Sequence, residues 1–148
     1  MDEEKKGKLN SSKIIGIIIT VIISLGSMVF AYITIVNSGK ENTITVNDSQ
    51  MIVEGSYGET YQLTDFVSVI KVEAVPDLLR RTNGSSIKNI KKGYFDVANL
   101  GSCMLYVGDV TKPCIIITTN DIPIIINFDD ESKTSALYDQ LDAVVNTD

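Results

Sequence analysis

The chain reads as a small, mainly β domain closed by one C-terminal α-helix and preceded by a single N-terminal transmembrane helix. Three features point there. From Ile14 to Val36 there are 23 residues without a charge, 17 of them apolar. β-Branched and aromatic runs then recur, broken by Gly, Asn, Asp and Pro at the short intervals of antiparallel strands. The last apolar positions fall at helical spacing. In all, 148 residues leave room for one domain beyond the apolar segment.

At about 1.5 Å per residue, a helix over 14–36 is about 35 Å long, enough for a hydrocarbon core of about 30 Å. Lys5, Lys6, Lys8 and Lys13 precede it, whereas the first basic residue after it is Lys40, with Glu41 beside it. That excess predicts a cytoplasmic N-terminal segment, 1–13, and a C-terminal domain outside, in a single-pass protein of the plasma membrane. Val29-Phe30-Ala31 carries small residues at the spacing a signal peptidase accepts. The apolar core is too long for a cleaved signal and continues through Val36, so the reading is an uncleaved signal anchor. Gly16, Thr20 and Ser24 share one helix face where a second helix could approach, but no paired glycines occur at that spacing, and the oligomeric state stays open. The linker 37–42 reaches at most about 20 Å, which should hold the domain, 43–148, against the membrane surface.

Strands are expected near 42–47, 50–54, 59–62, 67–73, 93–99, 102–107, 114–119 and 122–127. Asn47-Asp48, Gly55-Ser56-Tyr57-Gly58, Asn99-Leu100-Gly101, Gly108 to Pro113 and Asn120-Asp121 supply reversals between them. Ile115-Ile116-Ile117 and Ile124-Ile125-Ile126 are continuous rather than alternating, so both faces of that hairpin should be covered. The expected cover is the final helix. Asp129 or Asp130 can cap it, Glu131 suits its positive end, and Leu137, Leu141, Val144 and Val145 fall on one face.

Composition restricts the chemistry. The chain has no His, which removes the commonest general base and metal ligand, so Ser-His-Asp, Cys-His and zinc-type sites cannot be assembled from it. No nucleophile, base and oxyanion set can be named, and the expectation is a protein that is not an enzyme and takes no cofactor or metal. A formal net charge of -6 argues against nucleic-acid binding. Residues 37–148 hold 9 basic and 16 acidic side chains, net -7. Against that background the connection Pro76 to Lys92 stands out, because Arg80, Arg81, Lys88, Lys91 and Lys92 occur there with no acid between them. These five are the candidate contacts to an anionic lipid surface, a wall polymer or another partner, Arg80 and Arg81 foremost because a guanidinium forks onto phosphate or carboxylate. The plain alternative is a solvated loop. Asn83-Gly84-Ser85-Ser86 lacks phosphate-loop spacing and reads as a turn. Asp129, Asp130 and Glu131 lack the pattern of a calcium loop. Cys103 and Cys114 stand at similar heights on two neighbouring expected strands and form a candidate disulfide, with two buried free thiols as the equal alternative. Tyr57, Tyr61, Phe66, Tyr94, Phe95 and Tyr106 read as core and rim packing.

Several pieces together carry a family resemblance: Arg80-Arg81-Thr82-Asn83-Gly84, then Lys92-Gly93-Tyr94-Phe95 opening a strand, Leu105-Tyr106-Val107, Cys114-Ile115-Ile116-Ile117-Thr118, and a helix with Leu137-Tyr138 and Leu141. In this order and spacing, from about Thr43 to Leu141, they resemble the bacterial PH-like (pleckstrin homology) domains. The resemblance implies a split barrel of antiparallel strands plugged at one end by the helix, and a binding or assembly role without a fixed ligand. Phosphoinositide binding is not implied, because the first hairpin, Gly55-Ser56-Tyr57-Gly58-Glu59, has no Lys or Arg. Two functions follow as expectations: an outer module that binds a protein or peptide segment, by strand addition beside the helix, or an anionic surface; and an assembly protein acting through its membrane helix.

Overall fold

The computed structural model describes residues 11–146 and divides the chain into two compact units, Met1–Val36 and Asn37–Asp148. In the first, helix α1 spans Ser11–Ser38, longer at both ends than expected. Its large apolar side chains from Ile14 to Val36 are exposed around the whole circumference, as in a helix that needs an apolar solvent. It is long and apolar enough to cross a membrane. Its hydroxyls fold back on the helix itself: Thr20 Oγ1 donates to Gly16 O and Ser27 Oγ to Ser24 O, which hides polar groups on an apolar rod.

The second unit is mainly β with one C-terminal helix. Its strands are β1 (Thr43–Val46), β2 (Gln50–Glu54), β3 (Thr60–Gln62), β4 (Phe66–Val72), β5 (Leu78–Ile87), β6 (Ile90–Val97), β7 (Gly101–Val107), β8 (Cys114–Thr119) and β9 (Ile124–Asn127), followed by α2 (Glu131–Val145). They form a three-stranded sheet, β1-β2-β3, and a six-stranded sheet, β4-β8-β9-β7-β6-β5. Among the described residues no barrel closes; β4, β5, β1 and β3 are sheet edges. The order is not wholly antiparallel either. β8 and β9 form the expected hairpin, but β9 then pairs in parallel with β7, Leu105 opposite Ile125.

The Ile runs lie at the middle of the large sheet, and both their faces are covered. On one side Ile115, Ile117, Ile124 and Ile126 pack with Met51 and Val53 of the small sheet and with Leu137 and Leu141 of α2. On the other, Cys114, Ile116 and Ile125 pack with Cys103, Leu105, Val107, Phe95 and Val97, under half-buried Val72, Val75, Leu78, Leu100 and Val110. The helix thus covers one face; strand connections cover the second. Asp130 is the N-cap, its Oδ1 accepting from Ser132 N at 2.9 Å. Of the four apolar residues expected on one face of α2, Val144 is 47% exposed.

The main correction concerns residues 76–92, expected as a loop. They hold β5, ten residues paired with β6, and Asn83-Gly84-Ser85-Ser86 is strand rather than turn. Gly84 sits opposite Gly93, whose φ of +95° needs glycine. A Cβ on Gly84 would lie 3.0 Å from the Phe95 ring, so the small residues there serve close approach between strands.

Candidate functional site

The hairpin β5–β6 carries all five candidate basic residues, and strand geometry separates them. Arg80 lies opposite Asp96, which accepts from its Nε at 3.0 Å and its Nη2 at 2.8 Å. The charge is met within the hairpin, in a pair exposed to water and weakly stabilising. Arg81, opposite Phe95, remains exposed. Lys88 occupies the turn with a φ of +51°, and Lys91 Nζ donates to its carbonyl. Loss of hydration lowers the Lys91 pKa. Lys92 is 1% exposed, because successive strand residues point to opposite faces and its neighbour takes the outer one. Its Nζ donates to Lys40 O. Burial lowers the Lys92 pKa, and Glu41 opposes that shift.

These five therefore do not converge. Ser86, not Arg81, is the partner of Lys91, and Arg81 lies five residues further along the strand, about 17 Å away at ordinary strand rise. What stays open to solvent is the Lys88–Lys91 turn at one end and, at the other, Arg81 beside the Asp96-paired Arg80. Sequence distance alone could not show that Asp96 meets Arg80 or that Lys92 turns inward.

Part of the expected linker 37–42 is built into the domain. Besides the Lys92 contact to Lys40 O, Glu41 Oε1 accepts from Asp129 N, just before the N-cap of α2, and Glu41 Oε2 lies 3.8 Å from Lys133 Nζ. Asn42, 6% exposed, donates through Nδ2 to Glu54 O at 3.0 Å and Ser56 O at 2.9 Å.

Beside this clamp a groove of about 380 Å³ runs between β1 and α2, with Ile44, Phe128, Ala136 and Leu137 as apolar lining and Lys133 and Gln140 at its rim. β1 is a free edge. Asn47 N donates to Gln50 O across the hairpin, 2.9 Å, and this sets the ladder phase: Thr43 and Thr45 face β2, while the amides and carbonyls of Ile44 and Val46 face away from it. An extended chain laid there would find main-chain donors and acceptors along β1 and apolar side chains from α2. The open edge beside the helix was expected from the sequence; its residues were not. The alternation of exposed Thr43 and Thr45 with half-buried Ile44 and Val46 is the signal that marks the strand.

Among the aromatic residues, Tyr61 of the small sheet and Tyr106 of the large one join the two sheets. Tyr106, 2% exposed, donates to Tyr57 O at 2.7 Å, and its hydroxyl lies 2.8 Å from that of Tyr61. The rings meet edge to face at 6.4 Å. Burial pushes the Tyr106 hydroxyl up to about 12 and raises Tyr61 as well.

The premise of the candidate disulfide is also corrected. β9 lies between β7 and β8, and register puts Leu105, Ile125 and Ile116 in one row, with Cys103 and Cys114 two residues off that row in opposite directions. Two strand spacings across and four residues along separate them by about 16 Å, well beyond disulfide reach. Both are buried free thiols. Burial raises Cys103 to about 11 and Cys114 to about 12, away from thiolate chemistry.

In comparisons with known proteins, no family model, no curated protein and no solved structure matches the chain.

Proposed function

We propose that this is a membrane-anchored binding module whose outer domain takes an extended segment of a partner protein along β1, in the groove beside α2. The observation that carries the reading is the free edge of β1, with the outward amides of Ile44 and Val46, set next to an apolar-lined groove. Strand addition uses main-chain hydrogen bonds for affinity and the neighbouring pocket for selection. The lysines ahead of α1 support a cytoplasmic N-terminus and an extracytoplasmic domain in the plasma membrane. A sheet followed by one covering helix is in keeping with the PH-like resemblance, although the parallel β7–β9 pair is a departure from it. The hairpin residues Arg80, Arg81, Lys88, Lys91 and Lys92 take a lesser part, because no anion site gathers them.

A photo-crosslinking amino acid placed at Gln140, in the full chain in its own membranes, tests the reading. Gln140 should yield a discrete partner adduct that Leu79, exposed on β5, does not. Ala136→Arg should abolish the adduct while leaving the melting temperature unchanged, since Ala136 is exposed. The same adducts from both positions, or an adduct indifferent to Ala136→Arg, would overturn it.

A further inference from the structure

On the opposite side of the small sheet lies a second groove, of about 410 Å³, between β3 and the turn that joins β8 to β9. Its phase is set by two hydrogen bonds, Val53 N to Glu59 O and Leu63 N to Ser49 O, each 2.9 Å. Glu59, Tyr61 and Leu63 therefore turn their main chain toward β2, and Thr60 and Gln62 turn theirs outward. β3 is the free edge of that sheet. Phe66, Tyr94 and Ile122 supply apolar surface, and the charged residues lining the groove are Glu59, Asp65 and Asp121, with no Lys or Arg. All three carboxylates are exposed, and among the described residues none forms an ion pair.

We infer that this groove binds a cationic extended segment of a partner protein, added as a strand on β3 with Lys or Arg at alternate positions. The argument is charge complementarity on a strand template. An added strand takes its main-chain hydrogen bonds from the amide and carbonyl of Thr60 and from the amide of Gln62, whose carbonyl opens the 3-10 turn Leu63–Asp65. Every second side chain then points to one face. Facing the groove, a lysine or arginine meets carboxylates of one sign and the ring of Tyr94, both favourable to a cation. An acidic segment meets repulsion at the same positions. The site is separate from the groove beside α2 and does not depend on it.

The test uses the full chain in detergent micelles and fluorescent peptides of alternating Lys and Thr or alternating Glu and Thr, read by anisotropy. The Lys peptide should bind, more weakly as salt is raised, and the Glu peptide should not. Glu59→Gln with Asp121→Asn should weaken the Lys peptide about tenfold. Glu73→Gln with Asp139→Asn, which removes the same charge from exposed positions elsewhere, should leave affinity unchanged. Thr60→Pro removes one outward amide from an edge strand and should abolish binding; if that variant melts early, N-methylation of alternate peptide amides poses the same question from the other partner. Equal weakening by the two charge pairs shows adhesion to an acidic surface and overturns the inference, as does full affinity after amide removal. Ala136→Arg, which fills the first groove, should not affect this binding.

Discussion

Lys92 shows how one side chain can mislead in the sequence and still explain something in the structure. Written as the end of a basic stretch, it looks like a surface charge; in the fold it lies 1% exposed with its ammonium on Lys40 O. Desolvation lowers its pKa, so between that lowered value and the ordinary lysine value of about 10.4 the unfolded chain binds more protons than the native one. The contribution of Lys92 to stability should then rise with pH across that window and level off above it. Lys91 shifts the same way, while the buried Cys103 and Cys114 thiols and the Tyr61 and Tyr106 hydroxyls, raised by burial, make stability fall as pH rises. The Lys92 share is therefore read as the difference in denaturant midpoint between the parent and Lys92→Met, which should move in the parent's favour from neutral to alkaline pH. Profiles that stay parallel in the two proteins would mean that Lys92 contributes nothing to the pH dependence. The same residue-scale detail governs the rest of the hairpin. Arg80 and Arg81 adjoin in sequence, yet one is met by Asp96 and the other is not, because register decides it.

At the scale of elements, α2 is where sequence and structure agree most closely. Asp130 caps it, and Leu137 and Leu141 reach the core, Leu141 with no exposure at all. Leu141→Ala should cost about 2–5 kcal/mol, measured by urea denaturation, and a negligible loss would contradict the packing. Strands rich in Ile, Val, Tyr and Phe were legible for the same reason: their side chains carry the burial that makes them strands. β5 was not, because Asn83-Gly84-Ser85-Ser86 has the composition of a turn and its strand state comes from β6 alongside it. The parallel pairing of β7 with β9 was also beyond local reading, since β9 pairs with β7 across the β8 segment that intervenes in sequence. Of the candidate sites, the types of residue were visible and their grouping was not. The two grooves depend on ladder phase and on which elements become neighbours, both fixed only when the sheets assemble.

For the whole molecule, the proposed topology has a direct consequence. With the lysines holding the N-terminal side in the cytoplasm, protease added to intact cells should remove residues beyond the anchor and leave a short membrane-held fragment. A domain that survives until the cells are opened would place it on the inner side and remove the extracytoplasmic reading. Lys40, Glu41 and Asn42 dock onto β6, α2 and the β2 end, so these residues belong to the folded outer unit rather than to a linker.

The β8–β9 hairpin has a further effect, on biogenesis. It is inserted between β4 and β7, yet it is synthesised after both. A nascent chain that has reached about residue 110 therefore holds two unpaired inner edges, one of them the wholly apolar run around Leu105, and nothing to join them. Until the last quarter of the polypeptide emerges, those edges are open to adhesion with other chains. Truncation before β8 should yield aggregate rather than a smaller domain, and a holdase that shields emerging strands would matter most in that interval.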